Sequence, residues 1–90
     1  MPKAIVTPRE LDRFADALDE VARVIAYKRS EKTRLVHDAG YVWRDEKYEM
    51  FRRVFEQTTA ELDTFVRRAR AYAAFLRAKS ARARKYLDNR

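Results

Sequence analysis

From Tyr41 to the last residue the chain contains neither proline nor glycine, and its apolar positions recur every three or four residues without a break. Tyr48, Phe51, Phe55, Thr58, Leu62, Phe65, Ala69, Tyr72, Leu76, Lys79, Ala83 and Tyr86 form that ladder. A strand would alternate with a period of about two. A sustained period of about 3.5 belongs to a long helix with one apolar side. The spacing predicts a single helix over residues 45–87, with Asp45 as its N-cap and Glu46 and Glu49 near the positive end of its dipole.

A second ladder precedes it. Thr7-Pro8-Arg9-Glu10 is a capping box, with proline at the first helical position, where its missing N–H costs nothing. Leu11, Phe14, Leu18, Val21, Ile25, Lys28, Lys32 and Leu35 then follow the same three-four spacing. The only glycine of the 90 residues, Gly40, stands where a helix end favours a left-handed residue. The predicted order is a helix over 8–37, a turn over 38–44 holding the only tryptophan, Trp43, and a helix over 45–87. Residues 1–90 form one domain.

So short a turn makes the helices antiparallel neighbours. The fold class is all-α: a two-helix hairpin. Ala17, Val24, Val54 and Phe75 widen the apolar stripe on one flank. Ala15, Ala22, Val36, Val66, Ala73 and Leu87 widen it on the other. A stripe that wide exceeds what one neighbouring helix covers, so two hairpins are expected to dimerise into a four-helix bundle. Val24, Trp43, Phe51, Phe55, Leu62, Phe65, Tyr72 and Phe75 are the expected partner interface. Trp43 fits both a plug for the end of the bundle and a part of a partner groove. Lys28 and Lys32 break the first ladder and are expected to point outward or to face Glu46 and Glu49.

The net charge of +7 is unevenly placed. Residues 1–66 hold 12 Lys and Arg against 13 Asp and Glu; residues 67–90 hold 9 against Asp88 alone. A first helix ending its reach near residue 75 would leave about a dozen residues overhanging, in the basic part of the chain. Arg77, Arg82, Arg84 and Lys85 are the expected electrostatic contacts of that overhang.

The chain offers little for catalysis. It has no cysteine and one histidine, His37, beside Asp38. Asp12, Asp16, Asp19 and Glu20 fall on the expected solvent side of the first helix. No Glu-x-x-His pair suggests a di-metal bundle, and no glycine-rich loop could cradle phosphate. The expectation is a non-enzymatic protein without metal or cofactor. No apolar run approaches a membrane span. The apolar start, Ile5-Val6, is too short for a signal peptide, which suggests a cytoplasmic protein.

Trp43-Arg44-Asp45 in the turn, followed by Tyr48, Phe51 and Phe55, resembles the WxG-type helical hairpins exported by type VII (ESX-like) secretion. Their motif is Trp-x-Gly in the turn ahead of an aromatic-rich second helix. The likeness of architecture spans nearly the whole chain. Asp45 replaces the motif glycine. The Tyr-x-x-x-Asp/Glu export signal after the second helix is missing, because Arg90 follows Tyr86 at that spacing. The resemblance implies an adaptor that pairs with itself, with a similar helical protein or with the helical domain of a larger secreted protein. It also implies export without a cleaved signal peptide. The alternative reading is a small nucleic-acid-associated, scaffold or assembly protein acting through the basic end.

Overall fold

A computed structural model describes residues 7–88. Residues 1–6, and with them the reading of the apolar start, lie outside the described residues, as does Arg90 of the export-signal comparison. Two helices make up almost everything described: α1, Pro8–Ala39, and α2, Glu46–Asp88.

The caps form as the sequence dictates. The Thr7 hydroxyl accepts from the Glu10 amide at 3.2 Å, and the Glu10 carboxylate accepts from the Thr7 amide at 3.3 Å. Asp45 Oδ1 accepts from the Tyr48 amide at 2.9 Å and starts α2. α1 runs two residues beyond its expected end. It unwinds through successive short turns, closed by Tyr41 and Val42 amides on the carbonyls of Asp38 and Ala39.

Gly40 corrects one expectation. Its backbone is right-handed, φ −63° and ψ −17°, so conformational freedom does not explain it. Space does. A Cβ there would stand 2.8 Å from the Tyr48 hydroxyl oxygen and 3.1 Å from Cζ. That hydroxyl donates to the Val36 carbonyl at 2.8 Å, clasping the start of α2 to the end of α1.

The helices lie antiparallel in one layer, with extents of 68 × 26 × 13 Å. Their seam differs from the expected one. Ala15, Ala22 and Ala73 are fully buried, and Leu11, Val66 and Ala69 nearly so. Ala22, Val66 and Ala69 form the core cluster, with Ile25 and Ala26 packed against it. The residues placed on one flank of the stripe are therefore its centre. Many of the larger rungs stay open, including Phe14, Val21, Leu35, Phe51, Phe65 and Tyr72. A seam of alanines lets two helices approach closely, and bulky side chains are then left beside the contact rather than within it.

The register also removes most of the overhang. Ser80 Oγ donates to the Pro8 carbonyl at 3.0 Å, so the start of α1 lies level with Ser80 rather than near residue 75. Arg84 reaches Asp12 at 2.5 Å. The longer α1 and the tight turn account for the difference.

Candidate partner interface

A residue one position before a seam residue is turned about 100° to one side, and one position after it about 100° to the other. Phe14, Val21, Lys28 and Leu35 each precede a residue facing the seam of α1: Ala15, Ala22, Arg29 or Val36. Phe51, Thr58, Phe65, Tyr72 and Lys79 do the same in α2, ahead of Arg52, Thr59, Val66, Ala73 and Ser80. Antiparallel helices keep the same hand when exchanged, so both sets fall on one face of the hairpin. A shallow groove across both helices there is lined by Ile25, Lys28 and Lys32 from α1 and Phe55, Thr58 and Leu62 from α2.

This face is aromatic at its turn end. Trp43 packs edge-on against Tyr48, 5.3 Å between ring centres, and lies 5.9 Å from Phe51. Phe51 in turn stacks on Phe55 at 6.0 Å. Trp43 is 39% exposed, so it joins the end of the face rather than vanishing into a plug. Of the expected interface, Phe51, Phe65 and Tyr72 are exposed on this face, and Phe55 and Leu62 are half-buried at its edge with the seam. Val24 and Phe75 are exposed too, but each stands two positions after a seam alanine, on the outer back of its helix, and is not brought together with them.

The opposite face is electrostatic, which corrects a second expectation. Asp12, Asp16 and Asp19 do not serve solubility alone; they reach across to the other helix. Arg77 bridges Asp16 at 2.8 Å and Asp19 at 2.5 Å, and Arg84 holds Asp12. Arg29 reaches Asp63 at 3.0 Å in the other direction. The Arg84 hydrogen bond, helped by Ser80, draws the Asp12 carboxyl below its ordinary range. The hydrogen bonds that Arg77 donates to Asp16 and Asp19 raise its own pKa further. Only Glu20 of the four pairs within its own helix, with Arg23. Arg77 and Arg84 are thus engaged inside the hairpin. Arg82 and Lys85 are exposed and make no ion pair among the described residues.

Lys28 and Lys32 both lean toward Glu31 of their own helix, at 3.7 and 3.9 Å, rather than toward Glu46 or Glu49. Glu49 pairs with Arg52 instead. His37 stays beside Asp38 at 3.7 Å. Among the described residues, no three His, Asp or Glu side chains gather as metal ligands, and no helix is long and apolar enough to cross a membrane.

Sequence reasoning missed the Tyr48 clasp, the Arg29–Asp63 bridge and the cross-helix role of the aspartates. A signal for the last existed. Asp12 and Asp19 lie seven apart, as do Arg77 and Arg84, so opposite charges share a heptad column on two antiparallel helices. Compared with known protein families, with characterised proteins and with solved structures, the chain matches none.

Proposed function

We propose that the hairpin is a non-enzymatic adaptor that works by helix pairing. Its aromatic face lies against another helical hairpin, a copy or a similar chain, and closes a four-helix bundle. The observation that carries this reading is the uncovered face. Among the described residues sixteen large apolar side chains are exposed, Phe14, Val21, Leu35, Phe51, Phe65 and Tyr72 of them on this face, and the helices form a single layer with no second layer over it. Stable domains bury the apolar side of one layer against another. The chain exposes 7729 Å², whereas a compact monomer of 10.7 kDa exposes about 5,500 Å². The resemblance to WxG-type hairpins supports the same reading and extends it to type VII secretion, as a subunit that leaves the cell beside a signal-bearing partner.

The alternative, nucleic-acid binding or assembly through the basic end, has less support. Two of its four contacts, Arg77 and Arg84, are held by aspartates.

The test is sedimentation of the full chain between 1 and 100 micromolar (roughly the range of weak to moderate association), alone and co-expressed with helical proteins from neighbouring genes. Phe65→Asp with Tyr72→Asp should keep helical circular dichroism, because both side chains are exposed in the single hairpin. It should also abolish the larger species. If wild type and the double variant sediment alike in every mixture, the pairing role is refuted.

A further inference from the structure

The charges of the hairpin say what kind of chain fits its open face. Most carboxylates already have a partner inside the hairpin. Asp12, Asp16, Asp19 and Asp63 hold arginines on the closed face, and Glu20, Glu49 and Glu56 hold arginines of their own helix. Glu10 and Asp45 cap helix starts. The positive excess must therefore appear elsewhere, and part of it stands in the aromatic face. Lys28 and Lys32 stand in that face on α1. Lys79 stands in it on α2, in the heptad column that places Phe65 and Tyr72 there. Against these three cations the columns of that face carry no carboxylate among the described residues, and Glu31, at its edge, is shared by Lys28 and Lys32.

We infer that the open face takes an acidic amphipathic helical partner: an apolar stripe flanked by Glu or Asp, on a chain other than this one. The inference rests on the pairing role proposed above and narrows its partner. A second copy would bring the same three cations to the interface from both sides, and like charges across an interface are penalised. An acidic helix would meet them with opposite charge. The spacing also selects a helix over a lipid surface. Phe51, Thr58, Phe65, Tyr72, Lys79 and Tyr86 recur every seven residues, the repeat that follows a partner helix in a supercoil. A flat membrane surface needs no such repeat.

The experiment uses the full chain and two synthetic peptides. Each has four heptads of the same leucine stripe. One is flanked by glutamate, the other by lysine. Binding is followed by fluorescence anisotropy of the labelled peptides, and by Trp43 emission as an internal reporter at the end of the face. The glutamate peptide should bind, more weakly as salt rises, and the lysine peptide at least about tenfold less well. Reversing the exposed cations of the face with Lys28→Glu, Lys32→Glu and Lys79→Glu should invert that preference and leave the helical signal unchanged.

Equal binding of both peptides, or an unchanged preference in the reversed-charge variant, overturns the acidic-partner inference. So does a stable homodimer that buries Trp43, but that result leaves the pairing role standing. A monomer that binds neither peptide, or only vesicles of anionic lipid, overturns both.

Discussion

Replacing Gly40 by alanine should destabilise the hairpin, although its backbone suits any residue. Elsewhere such a change stabilises a protein by about 0.4–1 kcal/mol, because alanine restricts the unfolded chain. Here the new Cβ would stand 2.8 Å from the Tyr48 hydroxyl, and Tyr48 is only 7% exposed. The ring has little room to retreat. Moving the hydroxyl breaks its bond to the Val36 carbonyl. That carbonyl has no helical replacement, since the Gly40 amide bonds to the carbonyls of His37 and Asp38. Losing the bond and stranding a half-buried acceptor costs about 1–3 kcal/mol. The net effect should be about 1 kcal/mol of destabilisation, or roughly 4–8 °C in Tm for a domain of this size.

Tyr48→Phe tests the cause. Alone it should cost about 1–2 kcal/mol through the same lost bond. Combined with Gly40→Ala it removes the oxygen that the Cβ strikes, leaving only the 3.1 Å approach of Cζ. The alanine should then be neutral or stabilising, and the two effects should miss additivity by at least about 0.5 kcal/mol. The assay is urea and thermal unfolding by circular dichroism at one fixed protein concentration, since association shifts apparent stability. Additive effects, or a stabilised Gly40→Ala in the wild-type background, would refute the clasp as the reason for the glycine.

Ala73→Leu should destabilise by about 1–3 kcal/mol, because a fully buried alanine at the seam leaves no room for an isobutyl group; Ala74→Leu, beside it and exposed, should change little in the same unfolding assay. Lowered pKa values at Asp12, Glu20 and Glu49 arise chiefly from hydrogen bonds donated by Arg84, Arg23 and Arg52. Their stabilisation is complete above the ordinary values, 3.8 for Asp and 4.5 for Glu, and disappears as pH falls through the lowered ones. A Tm profile from pH 7 to 2 should therefore be flatter below about pH 4.5 in a variant with Asp12→Asn, Glu20→Gln and Glu49→Gln, and equal slopes would contradict the pairing. In the unpartnered chain, amide hydrogen exchange should be slowest around Ala22, Val66 and Ala69 and faster between Arg29 and Phe55; uniform protection would count against an uneven seam.

Much of the fold is written locally. Thr7, Glu10 and Asp45 satisfy the helix starts with their own side chains, so residue type and spacing suffice to place them. A ladder without proline or glycine similarly leaves no stopping point for α2. The seam is different because it depends on two helices at once. Phe65 and Val66, or Tyr72 and Ala73, are adjacent and equally apolar by pattern. Which of each pair faces inward is decided by how near the second helix can come. Large rungs suggest a large core, yet a two-helix contact is narrow. It is satisfied by alanines at 15, 22, 69 and 73, leaving the aromatics at its side. The reach of α1 was misjudged for a related reason. Register is set by Ser80 on Pro8 and by Arg84 on Asp12, contacts between residues seventy-two apart in the chain.

The seam also changes character along its length. Away from the turn it is alanine against alanine and valine, bordered by the Asp12, Asp16 and Asp19 bridges. Toward the turn it holds Arg29, Thr33, Arg52 and Thr59, and the Arg29 Nε atom finds no hydrogen-bond partner. Polar residues in a buried position contribute cohesion only where their bonds are complete. The Tyr48 clasp compensates at one point, but the same stretch carries the densest aromatic cluster: open Trp43 and Phe51, with half-buried Phe55 stacked on Phe51. The hairpin is thus held together best where its face is least aromatic, and least well where that face offers most to a cover. A helix laid over the turn end would bury the aromatic cluster and screen the polar seam beneath it. On the pairing role proposed above, folding and pairing are coupled most strongly at that end.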